Sequence, residues 1–195
     1  ISMPVHYDFS ALRLTPQKVK SFFKKNRWNK VIGFQTRNPL HKAHFEMIVN
    51  SMNDLNAKLL LHPAIGMTKP GDINQYTRVR CYEHILKKFP DNSVLLSLLP
   101  LAMRMAGPKE ALLHAIIRKN YGCSHFIVGR DHAGPGKDRN GFSFYKPYEA
   151  QDLIKKFEEE IGIKMIPFNF LVYVPKEKRY QPLDKIDGKK DYKTI

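Results

Sequence analysis

The stretch VIGFQTRNPLHKAHFEMIVNSM, residues 31–52, decides the fold. Val31, Ile32, Gly33 and Phe34 form an apolar run of the length of a short buried strand. Gln35, Thr36, Arg37 and Asn38 follow as a polar turn. Asn38-Pro39 reads as a cap followed by proline at the first helical position, so a helix is expected from Pro39. His41 and His44 then fall in its first two turns. A strand that runs into a helix start is a common anion site. The first N–H groups lack intrahelical partners, and the helix dipole is positive there. An arginine at that end is repelled by the dipole and needs an anion beside it. The expected ligands are the phosphates of a nucleotide and a second anion next to them. On spacing alone the two histidines fit a metal pair, packed core rings or phosphate donors. Their place beside the anion site favours donors to phosphate oxygens.

Outward from this stretch, short apolar runs alternate with helical patterns. Thr15 as cap and Pro16 after it predict a helix over 17–25, with Val19, Phe22 and Phe23 inward. Further strands are expected at 59–61, 94–99, 125–128, 163–166 and 170–174. Helices are expected at 74–89, 108–120 and 147–161. The tail 175–195 is basic with weak periodicity. This order predicts an α/β fold with a mostly parallel sheet flanked by helices. Ligands in such sheets bind beyond the carboxyl ends of the strands. The polar turns after Phe34 and Val128 therefore share one rim. The second turn, Gly129-Arg130-Asp131-His132-Ala133-Gly134-Pro135-Gly136, has three glycines in eight residues. Such a turn lets backbone N–H groups close around an anion. Lys69, Arg78, Arg104 and Arg118 are further candidates for triphosphate contact.

The chain has 195 residues, 43% of them hydrophobic, enough to bury a core as one domain. Its formal charge of +15 favours anionic partners. The excess charge is spread along the chain. Cys81 and Cys123 fit no metal spacing and read as reduced thiols. No run is long and apolar enough to span a membrane, and no signal peptide is visible. The location expected is cytoplasmic, with an organelle as the alternative.

Gln35-Thr36-Arg37-Asn38-Pro39 with His41 and His44 resembles the QTRNPxHxxH motif of the ATP sulfurylases (sulfate adenylyltransferases). Residues 129–136 resemble that family's GRDHAGPG motif. Residues 62–72, 101–107, 114–122 and 173–180 extend the resemblance over essentially the whole chain, and the match is nearest the fungal-type enzymes. The resemblance implies a Rossmann-like nucleotidylyltransferase fold. It implies transfer of the adenylyl group of ATP to sulfate, giving adenosine 5′-phosphosulfate and pyrophosphate, with Mg²⁺ accompanying ATP. By the same resemblance Gln35, Arg37 and the backbone at Ala133 would hold sulfate. Thr36, Arg37, Asn38, His41 and His44 would be catalytic. Gln35, Thr36, Arg37, Asn38, Gly129, Arg130, Asp131, His132 and Leu171 would bind ATP, and no residue is expected to bind a metal. Residues 1–174 would form the catalytic domain and 175–195 a basic extension. The family's enzymes carry an N-terminal domain and a later segment not matched here, so an isolated catalytic domain is expected, from a family of homo-oligomers.

The chemistry of the turn agrees with that expectation. Sulfate must approach a phosphorus surrounded by negative oxygens. At ~4 Å two unit charges repel by about 1 kcal/mol in water and about 4 at an effective dielectric of 20. The attacking oxygen is already ionised, so the site needs fixed positive charge and no general base. Two rival readings remain at this stage. One is a nucleotidylyltransferase with another acceptor. The other is a basic nucleic-acid-binding module, although no nucleic-acid-binding signature or stacking platform is present.

Overall fold

The computed structural model describes residues 8–66, 71–169, 171–183, 186 and 192–194. Five strands form a parallel sheet: β1 (Val31–Phe34), β2 (Lys58–Leu61), β3 (Val94–Leu96), β4 (His125–Gly129) and β5 (Lys164–Phe168). Their order is β3-β2-β1-β4-β5. The chain winds outward in one direction through β2 and β3 and in the other through β4 and β5. The crevice between the carboxyl ends of β1 and β4 is therefore the switch point of a Rossmann-like sheet, where ligands bind. The expected fold class holds.

Period-2 alternation in these short strands builds two cores. Val31, Leu60, Phe126 and Val128 face one side, against Val19 and Phe23 of α1 (Pro16–Lys25), Ala111 and Ala115 of α4 (Pro108–Asn120), and Ala150 and Ile154 of α5 (Glu149–Lys156). Ile32, Phe34, Leu59, Leu61 and Ile127 face the other, against Ile48 and Met52 of α2 (Lys42–Leu55) and Val79 and Tyr82 of α3 (Gln75–Leu86). Each fully buried Leu or Ile contributes roughly 1.5–3 kcal/mol of transfer free energy. Gly33 sits mid-strand because Arg118 of α4 crosses above it. A Cβ there would stand 2.6 Å from Arg118 Cγ.

The expected helix starts hold for α1, α3 and α4. Thr15 Oγ1 accepts from Lys18 N at 3.3 Å, Asn74 Oδ1 accepts from Tyr76 N at 2.9 Å, and Pro108 is the first residue of α4. The helix expected from Pro39 instead begins at Lys42, with His41 as its N-cap. Asn38 is not a helix cap. In a helix from Pro39 the carbonyl of Asn38 would accept the first intrahelical bond, from Lys42 N. Here Arg78 Nη1 donates to Arg37 O at 2.9 Å, and Tyr82 Oη donates to Asn38 O at 3.0 Å. Tertiary contacts from α3 hold the turn open for three more residues. The helix expected over 147–161 is two pieces, α5 and α6 (Glu158–Ile161).

The tail that lacked a clear pattern pairs as strands. β6 (Leu171–Val174) lies between β7 (Arg179–Pro182) and β8 (Lys193–Thr194), all antiparallel. This small sheet runs across the division expected after Val174. Among the described residues no helix is long and apolar enough to cross a membrane.

Candidate active site

The turn after β1 is fixed on several sides. Thr36 Oγ1 donates to Asn38 O at 2.7 Å and accepts from Asn38 N at 3.0 Å, so its hydroxyl staples the turn. Thr36 O accepts from Ala64 N at 3.0 Å. Arg78, 2% exposed, also donates to Ala64 O at 3.2 Å, tying the turn to the segment after β2. Arg37 stands four residues ahead of the N-cap His41, outside the first turn of α2, and its anion is a side chain of this chain. It is the Asp72 carboxylate, brought from 35 residues away. Both side chains remain partly exposed, at 23% and 12%.

The turn after β4 is tighter still. Asp131 (φ 49°) and Ala133 (φ 56°) both adopt the left-handed region, which side chains other than glycine rarely occupy away from functional sites. Gly134 is needed because the Asp131 carboxylate folds back over it. A Cβ on Gly134 would lie 1.9 Å from Asp131 Oδ1. Asp131 N donates to Pro147 O at 2.7 Å, and Gly107 N donates to Ala133 O at 2.8 Å. The second bond joins this turn to the loop 101–107. Ala133 N has no acceptor among the described residues, and Ala133 lines the cavity described next.

Two cavities lie side by side along this edge. The first, about 290 Å³, is lined by Gln35, Thr36 and Arg37 from the first turn and by Asp131, His132, Ala133, Gly134 and Gly136 from the second. Met103 and Met105 of the loop close it. The second, about 280 Å³, is lined by His41, Ala43 and His44 at the start of α2, by Gly129 and Arg130, and by Phe168, Asn169 and Leu171. Arg130 lines the second and its sequence neighbour Asp131 the first, and both also line a third cavity of about 390 Å³ with Gly136, Lys137, Ser143, Tyr145 and Pro147. The first is walled mainly by polar groups and backbone. The second is walled mainly by carbon and aromatic rings.

Burial keeps the site histidines neutral. His41 and His44 stack with ring centroids 3.9 Å apart. Burial, and then the neighbouring His41, lowers the His44 pKa to about 4, and burial lowers His41 as well. His132 falls to about 4 through burial and then the Arg118 cation. Partial burial raises the Asp131 carboxyl, and Arg130 opposes that rise. A neutral imidazole still offers one N–H to an oxyanion. Arg118 itself is wholly buried and donates to His62 O at 3.0 Å. Burial lowers its pKa to about 9, which leaves it a cation at neutral pH.

Eleven of the twelve residues that the resemblance assigns to the site line these two cavities, in two groups. Gln35, Thr36, Arg37, Asp131, His132 and Ala133 line the polar cavity, and His41, His44, Gly129, Arg130 and Leu171 line the apolar one. Asn38 lines neither, and its carbonyl is held by Tyr82. Arg78 and Arg118, expected at the triphosphate, are buried struts instead. Arg104 is exposed on the loop beside the polar cavity, and Lys69 lies outside the described residues. Sequence reasoning missed Asp72, Met103, Met105 and Phe168. It also missed Glu110 and His114, a buried pair behind Gln35 and His132. The glutamate, first-turn acid of α4 and followed four residues later by a histidine, was the only local sign of that pair. Among the described residues no group of three or more His, Cys, Asp or Glu could hold a metal ion.

A sequence profile described as ATP-sulfurylase matches residues 10–195. The chain is 54% identical over 190 residues to a sulfate adenylyltransferase of Saccharomyces cerevisiae, covering 97% of this chain and 37% of that relative. It is 57% identical over 182 residues to one of Schizosaccharomyces pombe, covering 93% of this chain and 37% of the relative. The fold is similar to a hexameric APS kinase from Thiobacillus denitrificans, with a TM-score of 0.78 at 29% identity, over 98% of this chain and 35% of the other. The chain thus spans little more than a third of the proteins it matches.

Proposed function

The chain belongs to the ATP-sulfurylase family, and from that membership we propose that it carries the catalytic site of a sulfate adenylyltransferase. Sulfate enters the polar cavity, held by the Gln35 amide, the Arg37 guanidinium and the Ala133 N–H. Adenosine occupies the apolar cavity against Phe168 and Leu171. The α-phosphate then lies between the cavities, beside Arg130 and within reach of the His41 and His44 rings. The observation that supports this reading is the pairing of two unlike cavities at one switch point, one suited to a small oxyanion and one to a nucleoside.

A sulfate oxygen attacks the α-phosphorus as the bond to the β-phosphate bridging oxygen breaks, in line. The electron pair leaves with pyrophosphate, and no proton moves. Arg37 offsets the charge that opposes approach. Its present partner, Asp72, has to yield to sulfate, so an exchange of ion pairs accompanies binding. The first N–H groups of α2 open beside Ala43, and with the imidazoles they face the triphosphate side. ATP arrives as a divalent-metal complex, with Mg²⁺ the ion proposed. A homo-oligomer in the cytoplasm is the assembly and location proposed.

The test is pyrophosphate release from Mg²⁺–ATP with and without sulfate, with molybdate as a substitute oxyanion. Release that depends on either oxyanion is expected. Release that ignores both, or that requires a phosphate-bearing acceptor, would overturn the reading.

A further inference from the structure

We infer that His114, locked by Glu110, is a positioning residue for the polar cavity: its Nδ1 is the shared acceptor that holds the Gln35 amide and the His132 ring facing an incoming oxyanion. The inference rests on the sulfate reading of that cavity. Neither residue lines it, and both are buried, at 0% and 5% exposure.

The geometry determines the hydrogens. Gln35 Nε2 can only donate, and it lies 3.0 Å from His114 Nδ1. That nitrogen must therefore carry a lone pair and His114 its proton on Nε2. Nε2 lies 3.4 Å from Glu110 Oε1, and a carboxylate at that distance favours the proton on Nε2. The amide nitrogen also lies 3.4 Å from Nε2, so it sits nearer Nδ1 but toward the ring face, and the Glu110 carboxylate favours the same Nε2–H form. Burial agrees, since it lowers the His114 pKa to about 2 and keeps the ring neutral. His132 Nε2, 3.1 Å from the same lone pair, must in turn be the donor.

The consequence falls on Gln35. One amide hydrogen is held by His114. The other has only Met103 Sδ, at 3.8 Å, a weak acceptor that an oxyanion oxygen would replace. Gln35 Oε1 is buried without a partner, which by itself gives no preference for this amide orientation. The His114 lone pair supplies the preference, because a flipped amide would set a carbonyl oxygen against it. The alternative tautomer would present that oxygen to the cavity and repel an anion. Glu110 steadies more than the ring. Its oxygens accept from Arg104 N at 2.9 Å and Ala106 N at 2.8 Å, which fixes the loop carrying Met103 and Met105.

The experiment compares His114→Leu with His114→Asn in the full chain, by KM for sulfate and for ATP. His114→Leu is expected to raise the sulfate KM by about tenfold, the value of one hydrogen bond, and to leave the ATP KM within roughly threefold. His114→Asn, whose side-chain oxygen stands near the Nδ1 position, is expected to recover most of the loss. Equal shifts in both KM values, or equal losses in both variants, would overturn the inference. A long-range ¹H–¹⁵N spectrum of the unsubstituted chain is expected to show His114 as the neutral Nε2–H tautomer, and an Nδ1–H ring would overturn the inference whether or not the variants fold. An unsubstituted chain without oxyanion-dependent turnover would strike the sulfate reading instead, while the tautomer still decides the geometry.

Discussion

The two cavities at the carboxyl edge are built in different ways. The polar one has a second layer behind nearly every wall. Arg78 and Tyr82 hold the Gln35–Asn38 turn by its carbonyls, Glu110 holds the methionine loop, and Gly107 ties that loop to Ala133. The apolar one is walled mainly by side chains, with the His41 ring stacked on His44 and His44 packed toward Phe168. The contrast follows from the ligands proposed. A hydrated dianion is displaced from water only by donors that need no reorganisation. A nucleoside base gains from buried area, which tolerates adjustment. Damage to the polar cavity should therefore reduce turnover steeply, and damage to the apolar one should weaken nucleotide binding gradually.

The largest effect is expected from Arg37→Ala. Loss of the guanidinium that lines the polar cavity should lower kcat/KM by about 10³-fold or more with little change in Tm. Near-normal activity there would erase the contrast. Gly134→Ala comes next, at roughly 100-fold, because the new Cβ displaces the Asp131 carboxylate, and Asp131 lines the polar cavity. Steady-state kinetics beside a crystal structure of the variant would show whether the turn had shifted.

Acid should weaken both cavities at once. His44 and His132 hold folded-state pKa values near 4 and His114 near 2, against about 6.5 unfolded. Between pH 6.5 and about 4 the unfolded chain binds more protons than the folded one, so stability falls as pH falls and is fully present above that range. Urea titrations should show a loss of at least about 2 kcal/mol between pH 7 and pH 5. A flat profile would mean that these rings are not held neutral.

Phe168→Ala tests the apolar side. It should raise the ATP KM about tenfold, the order of one lost stacking contact, and leave the sulfate KM within twofold or so. Equal movement of both constants would show that the cavities are not separate. The smallest effect is expected from Asp72→Asn. Removing the carboxylate that competes for Arg37 should lower the sulfate KM about threefold and change stability by less than about 1 kcal/mol.

Much of the fold was legible in local pattern. Apolar runs at 31–34 and 59–61 gave buried strands, and Thr15, Asn74 and Pro108 marked helix starts correctly. The rim location of both turns followed from strand order alone. What failed was whatever distant residues decide. Asn38-Pro39 looks like a helix start, but α2 begins at Lys42 and donors on α3 take the carbonyls of Arg37 and Asn38. Asp72 answers the charge of Arg37 across a long loop closure that no spacing announces. The pairing of β6 with β7 and β8 has no period in a basic tail, because its strands are short and partly solvent-facing. His114 and Glu110 carried only a helical i, i+4 spacing, which surface pairs share.

The site's central step can be followed with ¹⁸O-labelled sulfate and unlabelled Mg²⁺–ATP. Attack by sulfate at the α-phosphorus predicts adenosine 5′-phosphosulfate carrying all the labelled oxygens and pyrophosphate carrying none. Label in a phosphate or pyrophosphate product, or nucleotide cleavage that leaves sulfate untouched, would contradict it.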